Sequence, residues 1–191
     1  MLAKLKENSE KRHEKLKEIF LAVFDGTDEC KSAVRYAARR AKINNAGLLI
    51  VATVDTAEFT YWLSINNKMI NDIEKESRKA LEELAIDIKS YSDISCDYVI
   101  EHGSKLDVVK NLIKLDNSIS LLILASNKKD KNPGVLVETI SGEGYSIPVV
   151  VIPGNLSNND VDKEALDINA ANTTADVVSI TADDCLTTGN A

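Results

Sequence analysis

An open parallel β-sheet covered by helices on both faces, an α/β domain, is the architecture expected of this sequence. Five short runs, at 19–24, 48–54, 96–101, 119–125 and 148–152, are largely apolar, as strands buried on both faces must be. Between them lie longer stretches whose apolar residues recur every three or four positions, the spacing of a helix with one buried face.

The first run ends at Asp25 and Gly26, a turn signal. Residues 28–44 then read as a helix, with Ala33, Val34, Ala37, Ala38 and Ala41 on one face and Thr27 or Asp28 as its cap. After the second strand, 69–91 is a longer helix that turns Ile70, Ile73, Ala80, Leu81, Leu84, Ala85 and Ile88 inward. The third strand is followed by a helix over 104–115. It opens on Ser104 and Asp107, a capping box with Asp in place of Glu, and carries Val108, Val109, Leu112, Ile113 and Leu115 as its stripe. Between the fourth and fifth strands, 135–140 begins a short helix that Gly142 and Gly144 weaken at its end.

Three segments differ in composition. Residues 1–18 alternate charge signs with few large apolar side chains, and are expected to form a solvated, partly helical extension. Residues 19–154 form the domain. Residues 155–191 are small, polar and acidic, without aromatic residues or clear periodicity, and are expected to be a disordered tail, with an acidic interaction segment as the functional alternative.

Charge is unevenly placed. Of the net −7, the segment after Gly154 supplies −6, through seven acids against Lys163, leaving the first 154 residues at −1. A nearly neutral domain lacks the basic patch of a nucleic-acid binder, so no nucleic-acid partner is expected. No apolar run approaches the roughly 20 residues of a membrane-spanning helix, and residues 1–18 do not read as a secretory leader. Cys30, Cys96 and Cys185 are scattered and in no Cys-x-x-Cys pair, against a disulfide framework or a metal site. A cytoplasmic, membrane-free protein is the expectation.

Ligands of open parallel sheets bind beyond the carboxyl ends of the strands, where strand order reverses. The candidates there are Asp25 and Gly26, Asp55, Gly103, and Ala125, Ser126 and Asn127. Phe59, Tyr61 and Trp62, after the second strand, either pack on the helices or cover that rim. No catalytic residue is expected: His13 and His102 stand alone, and no metal-ligating or nucleophile motif is present. Asp25 as an aspartyl nucleophile lacks a recognisable second acid and positioned lysine.

The residues 19–27, ending in Asp25-Gly26-Thr27 and followed by Ser32-Ala33-Val34 and Ala37-Ala38, resemble the first strand, turn and helix of universal stress proteins. Glu101-His102-Gly103-Ser104, the run 120–126 and the closing run 146–153, with Pro148 before its valines, match that family's later elements in the same order. The resemblance covers 19–154. It implies an adenine nucleotide alpha hydrolase-like fold with sheet order 3-2-1-4-5, and a homodimer through the last strand, Val149, Val150, Val151 and Ile152.

The resemblance also names a nucleotide site. Asp25 matches the family's adenine-contacting Asp, and Val54 lies near its backbone contact to adenine. Nucleotide-binding members carry Gly-x-x-Gly, nine residues, then Gly-Ser or Gly-Thr after strand four. Aligned from that strand, the positions hold Ala125, Lys128, Glu138 and Thr139, of which only Thr139 conforms. Glycines there let backbone amides reach phosphates. A Glu138 carboxylate about 4 Å from a phosphate, at an effective dielectric of 20, would repel it by roughly 4 kcal/mol, several hundredfold in affinity. Lys128, Lys129 and Lys131 either offset this for another anion or form a solvated basic loop. The expected function is therefore a stress-response binding or signalling module with protein partners and no cofactor. The alternatives are an ATP- or AMP-responsive module with an altered phosphate loop around Asp25, Gly26, Val54, Ala125, Ser126, Lys128 and Thr139, and a small-molecule phosphohydrolase using Asp25.

Overall fold

The structure, a computed structural model, describes residues 18–55, 66–127, 133–142 and 144–166. The chain runs β1 (Ile19–Val23), α1 (Asp28–Asn44), β2 (Gly47–Val54), α2 (Asn66–Ser92), β3 (Asp97–His102), α3 (Lys105–Leu115), β4 (Ile119–Ser126), α4 (Val135–Ser141), β5 (Val149–Pro153) and α5 (Asn158–Leu166). The five strands form one sheet in the order β3-β2-β1-β4-β5, and every pairing is parallel. The expected fold class and strand order hold.

β1 lies at the centre, and alternate side chains explain why it is apolar throughout. Phe20 and Ala22, with Phe24 just beyond, enter one core with α1, α2 and α5. Ile19, Leu21 and Val23 enter the other with α3 and α4. Both layers need a buried partner, and each large aliphatic side chain so buried contributes about 1.5–3 kcal/mol.

α1 begins where expected. Thr27 is its N-cap, accepting from the Cys30 N–H at 3.3 Å. It ends on Asn45 in the left-handed region, φ 52°, with the Ala46 N–H bonded back to Ala41 at 2.9 Å. Its sheet-facing residues Ala33, Ala37, Ala38 and Ala41 are small and fully buried, so the helix axis sits close to the sheet and leaves room alongside for another helix. α2 is longer than expected, because its polar first turn from Asn66 carries no apolar signal. Leu81 and Ile88 anchor it in the core.

α5 corrects the sequence reading. The segment expected to be disordered from residue 155 folds through 166. Ser157 Oγ accepts from the Asp160 N–H at 3.3 Å and donates to its carboxylate at 2.6 Å. Val161 and Ala165 are fully buried in the α1–α2 core. Asp162 accepts two bonds of 2.7 Å from Arg35 and two of 3.1–3.2 Å from Arg39, and the arginines hold its carboxyl below the usual range. The expected extension 1–17, the tail beyond 166 and the aromatic cluster Phe59, Tyr61 and Trp62 lie outside the described residues.

Candidate functional site

The strand order reverses between β1 and β4, and the crevice there is built on the turn after β1. Gly26 adopts φ 87°, a conformation open to glycine with little penalty. That turn folds Asp25 back over the start of α1. Asp25 Oδ1 accepts from the Thr27 N–H at 3.1 Å and from Thr27 Oγ1 at 2.7 Å.

Across the crevice, the first residue of α3 supplies Lys105, whose Nζ donates to Asp25 Oδ2 at 2.9 Å. About a third of the Asp25 side chain, 31%, remains open to solvent. Burial would raise its pKa, but hydrogen bonds from Lys105, Cys30 and Thr27, with the Lys105 charge, outweigh that and hold the carboxyl well below the ordinary carboxylate range. Cys30 moves the other way. Burial, then the negative charge of Asp25, pushes its thiol up to about 11. It stays protonated at neutral pH and donates to Asp25, which removes it as a nucleophile.

The Asp25–Lys105 pair divides the crevice. On one side a cavity of about 90 Å³ lies between β1, β4 and the start of α4, with Val23, Leu124, Ala125, Gly134 and Leu136 in its wall. On the other a cavity of about 530 Å³ opens under α2, bounded by Phe24, Gly26, Thr53, Ile73, Glu76 and Ser77. Only the second falls in the usual 300–1,000 Å³ range of ligand pockets.

The structure thus brings together Asp25, Gly26 and Ala125 among the residues expected from the sequence. Val54 is buried at the end of β2, and its carbonyl is taken by the Gly103 N–H at 3.0 Å. Ser126 turns its carbonyl toward Gly154. Thr139 sits on α4, its hydroxyl donating to Val135 O at 2.8 Å, and lines neither cavity. Lys128 lies outside the described residues. Lys105 and Cys30 were missed. Lys105 left one signal: a cation in a first helical turn opposes the helix dipole, and so implies an anion nearby.

The family model for universal stress proteins matches residues 18–142. The chain belongs to the universal stress protein family. Its solved structural relatives include UspA from Lactobacillus plantarum, 15% identical with a TM-score of 0.64, over 72% of this chain and 98% of that one. A universal stress protein from Archaeoglobus fulgidus is 14% identical, TM-score 0.53, over 74% and 98%. A universal stress protein solved in complex with cAMP is 16% identical, TM-score 0.55, over 73% and 99%. At these identities the likeness carries the fold, the adenine nucleotide alpha hydrolase-like sheet expected from the sequence. No curated protein sequence matches the chain.

His102 ends β3 with its Nε2 at 3.9 Å from Glu74 Oε2, beyond hydrogen-bond reach. Among the described residues, no cluster of three or more His, Cys, Asp or Glu is placed to hold a metal, and no helix is long and apolar enough to cross a membrane. β5 forms one edge of the sheet. Its side chains point into the two layers: Val149 and Ile152 are buried, Val150 packs against the core under α1, α2 and α5, and Val151 against the core on the opposite face. What β5 offers at its edge is backbone.

Proposed function

We propose that the chain is a stress-response binding and signalling module, a cytoplasmic homodimer acting through protein contacts, whose crevice does not bind ATP and catalyses no reaction. The observation that carries this reading is the ion pair between Asp25 and Lys105. It occupies the carboxylate that a base would need, and it cancels the ammonium that a polyphosphate would need. Three further features support it. The cavity on the β4 side is small, Ala125 places a Cβ at the strand end where a glycine would admit phosphate, and Glu138 adds a negative charge on α4. Calorimetric titration of the purified protein with ATP is expected to give no heat of binding up to millimolar nucleotide. Micromolar affinity would overturn the reading.

Micromolar binding would favour the second reading, a nucleotide-responsive regulatory module. The cavity beside Asp25 and Gly26 is large enough for a nucleoside, and a relative of the same fold was solved with cAMP.

The dimer reading rests on the free backbone of β5. The Leu122 N–H bonds Pro148 O at 3.0 Å. In a parallel ladder that register turns the N–H groups of Val150 and Ile152 toward β4 and those of Val149 and Val151 outward. Pro153, which has no N–H, falls in the outward row. An uncovered edge of this kind invites a second strand. Val151→Pro removes an outward donor and no ladder bond, so it should turn dimers into monomers by light scattering while the circular dichroism stays native. A dimer that persists in this variant would refute pairing through β5.

A further inference from the structure

The sheet ends on β5 at one side and on β3 at the other, and the two edges are built differently. β5 carries no charged residue, whereas β3 carries Asp97, Glu101 and His102. The backbone of β3 also offers an outward row. The Gly103 N–H bonds the Val54 carbonyl at 3.0 Å. In a parallel ladder that register turns the N–H groups of Val99 and Glu101 toward β2, and those of Tyr98, Ile100 and His102 outward.

Glu101 sets this edge apart. By strand alternation its side chain shares the face of Val99, which packs against the core of α3 and α4. Its Oε1 is buried there without a hydrogen-bond partner, while the residue as a whole is half-buried. Burying a carboxylate oxygen without a donor is costly, and the solvent that still reaches the rest of the side chain offsets that cost. A strand added to β3 would take this solvent away.

A second copy joining β3 about a two-fold axis normal to the sheet would lie antiparallel. The outward rows then bond even-numbered residues to even-numbered ones. Glu101 falls at a non-hydrogen-bonded position, where opposing side chains come closest. Axes placed at Val99, Ile100 or Glu101 set it opposite Asp97, Val99 or Glu101 of the second copy. The first and last oppose like charges, which destabilises a strand pair. The middle one seals the carboxylate against a valine.

We infer that Glu101 closes the β3 edge to a second copy of the chain, so that the sheet can be extended across β5 alone. Two open edges would let every added copy present another, and growth would not end. One closed edge stops it at the pair. The extension across β5 rests on the dimer reading above; the closure of β3 does not.

The test uses the full chain with Glu101→Val, which puts a good strand former in place of the carboxylate. Light scattering should show at least twice the wild-type mass. The amides of Tyr98, Ile100 and His102 should exchange at least tenfold more slowly than in the wild type by NMR. Glu101→Gln, nearly the same in shape and uncharged, should associate at a protein concentration at least tenfold below that of the wild type. Glu101→Val combined with Val151→Pro should be a dimer held by β3. If Val151→Pro alone leaves the mass unchanged, the β5 reading fails while the Glu101 variants still decide this one. Three results would overturn the closure of β3. One is a wild-type mass for both Glu101→Val and Glu101→Gln, with Glu101→Gln deciding alone should Glu101→Val lose its native circular dichroism. Another is a larger Glu101→Val species without added protection at Tyr98, Ile100 and His102. The third is a wild-type protein in which those three amides are already as protected as those of Val99 and Glu101.

Discussion

Gly154→Ala is expected to destabilise the protein by about 2–3 kcal/mol, the upper part of the range for overpacking. Gly154 follows β5 where the chain turns toward α5. A Cβ built there would lie 2.5 Å from the backbone carbonyl oxygen of Ser126, at the end of β4, and closer still to Cγ of Glu29 on α1. Glu29 can swing aside. The Ser126 carbonyl belongs to the strand and cannot, so β5 and β4 must separate at their carboxyl ends. Urea denaturation measures the loss, and Glu29→Ala in the same chain should restore little of it. Gly26→Ala makes a useful contrast. Nothing lies within 4 Å of its Cβ position, so only the positive φ opposes the substitution, at about 1–2 kcal/mol. A Gly154→Ala protein within 0.5 kcal/mol of wild type would mean that the two strand ends are not packed as described.

Gly154 also marks where sequence reasoning reached its limit. The strands were legible because a sheet buried on both faces leaves an apolar run wherever it passes, as at 19–24 and 119–125. Thr27 and Ser104 were legible as caps because capping is settled within one turn of chain. Ser104 accepts from the Asp107 N–H at 3.2 Å, as its spacing implied. α5 was not legible. Two buried residues among acids make a weak periodic signal, and what holds them, Arg35 and Arg39, lies more than 120 positions earlier. The same reason divides the site. Asp25, Gly26 and Ala125 could be placed because each ends a strand, and strand ends of a parallel sheet share one side. Lys105 could not, because its meeting with Asp25 depends on how α3 enters above β1, 80 residues away in sequence. Val54 and Thr139 were proposed by alignment, and their polar groups are engaged within their own surroundings.

That unforeseen pair sets the second large effect. Asp25→Ala should lower stability by about 2 kcal/mol at neutral pH, the scale of a lost charge-assisted hydrogen bond. Its carboxylate accepts from the Thr27 N–H, Thr27 Oγ1 and Lys105 Nζ, and removal leaves the ammonium of Lys105 facing the partly buried Cys30 end of the crevice. The solvent-open third of the side chain keeps the figure from being larger, since water screens the pair. The sign of the pH dependence follows from the direction of the shift. A carboxyl held below its ordinary value of 3.8 in the folded state contributes stability that is complete above that pH and is lost as the pH falls through it toward the folded value. The wild type and Asp25→Ala should therefore differ most from pH 5 upward and converge in acid. Lys105→Met should relax the carboxyl upward toward its ordinary value, so that its acid-dependent loss of stability still begins near that value but is smaller and is complete at a higher pH than in the wild type. Denaturation of the three proteins between pH 2.5 and 7 reads all of this at once. A difference between wild type and Asp25→Ala that stayed constant over that span would show the carboxylate to be bound to nothing charged, and with it would go the barrier that separates the two cavities.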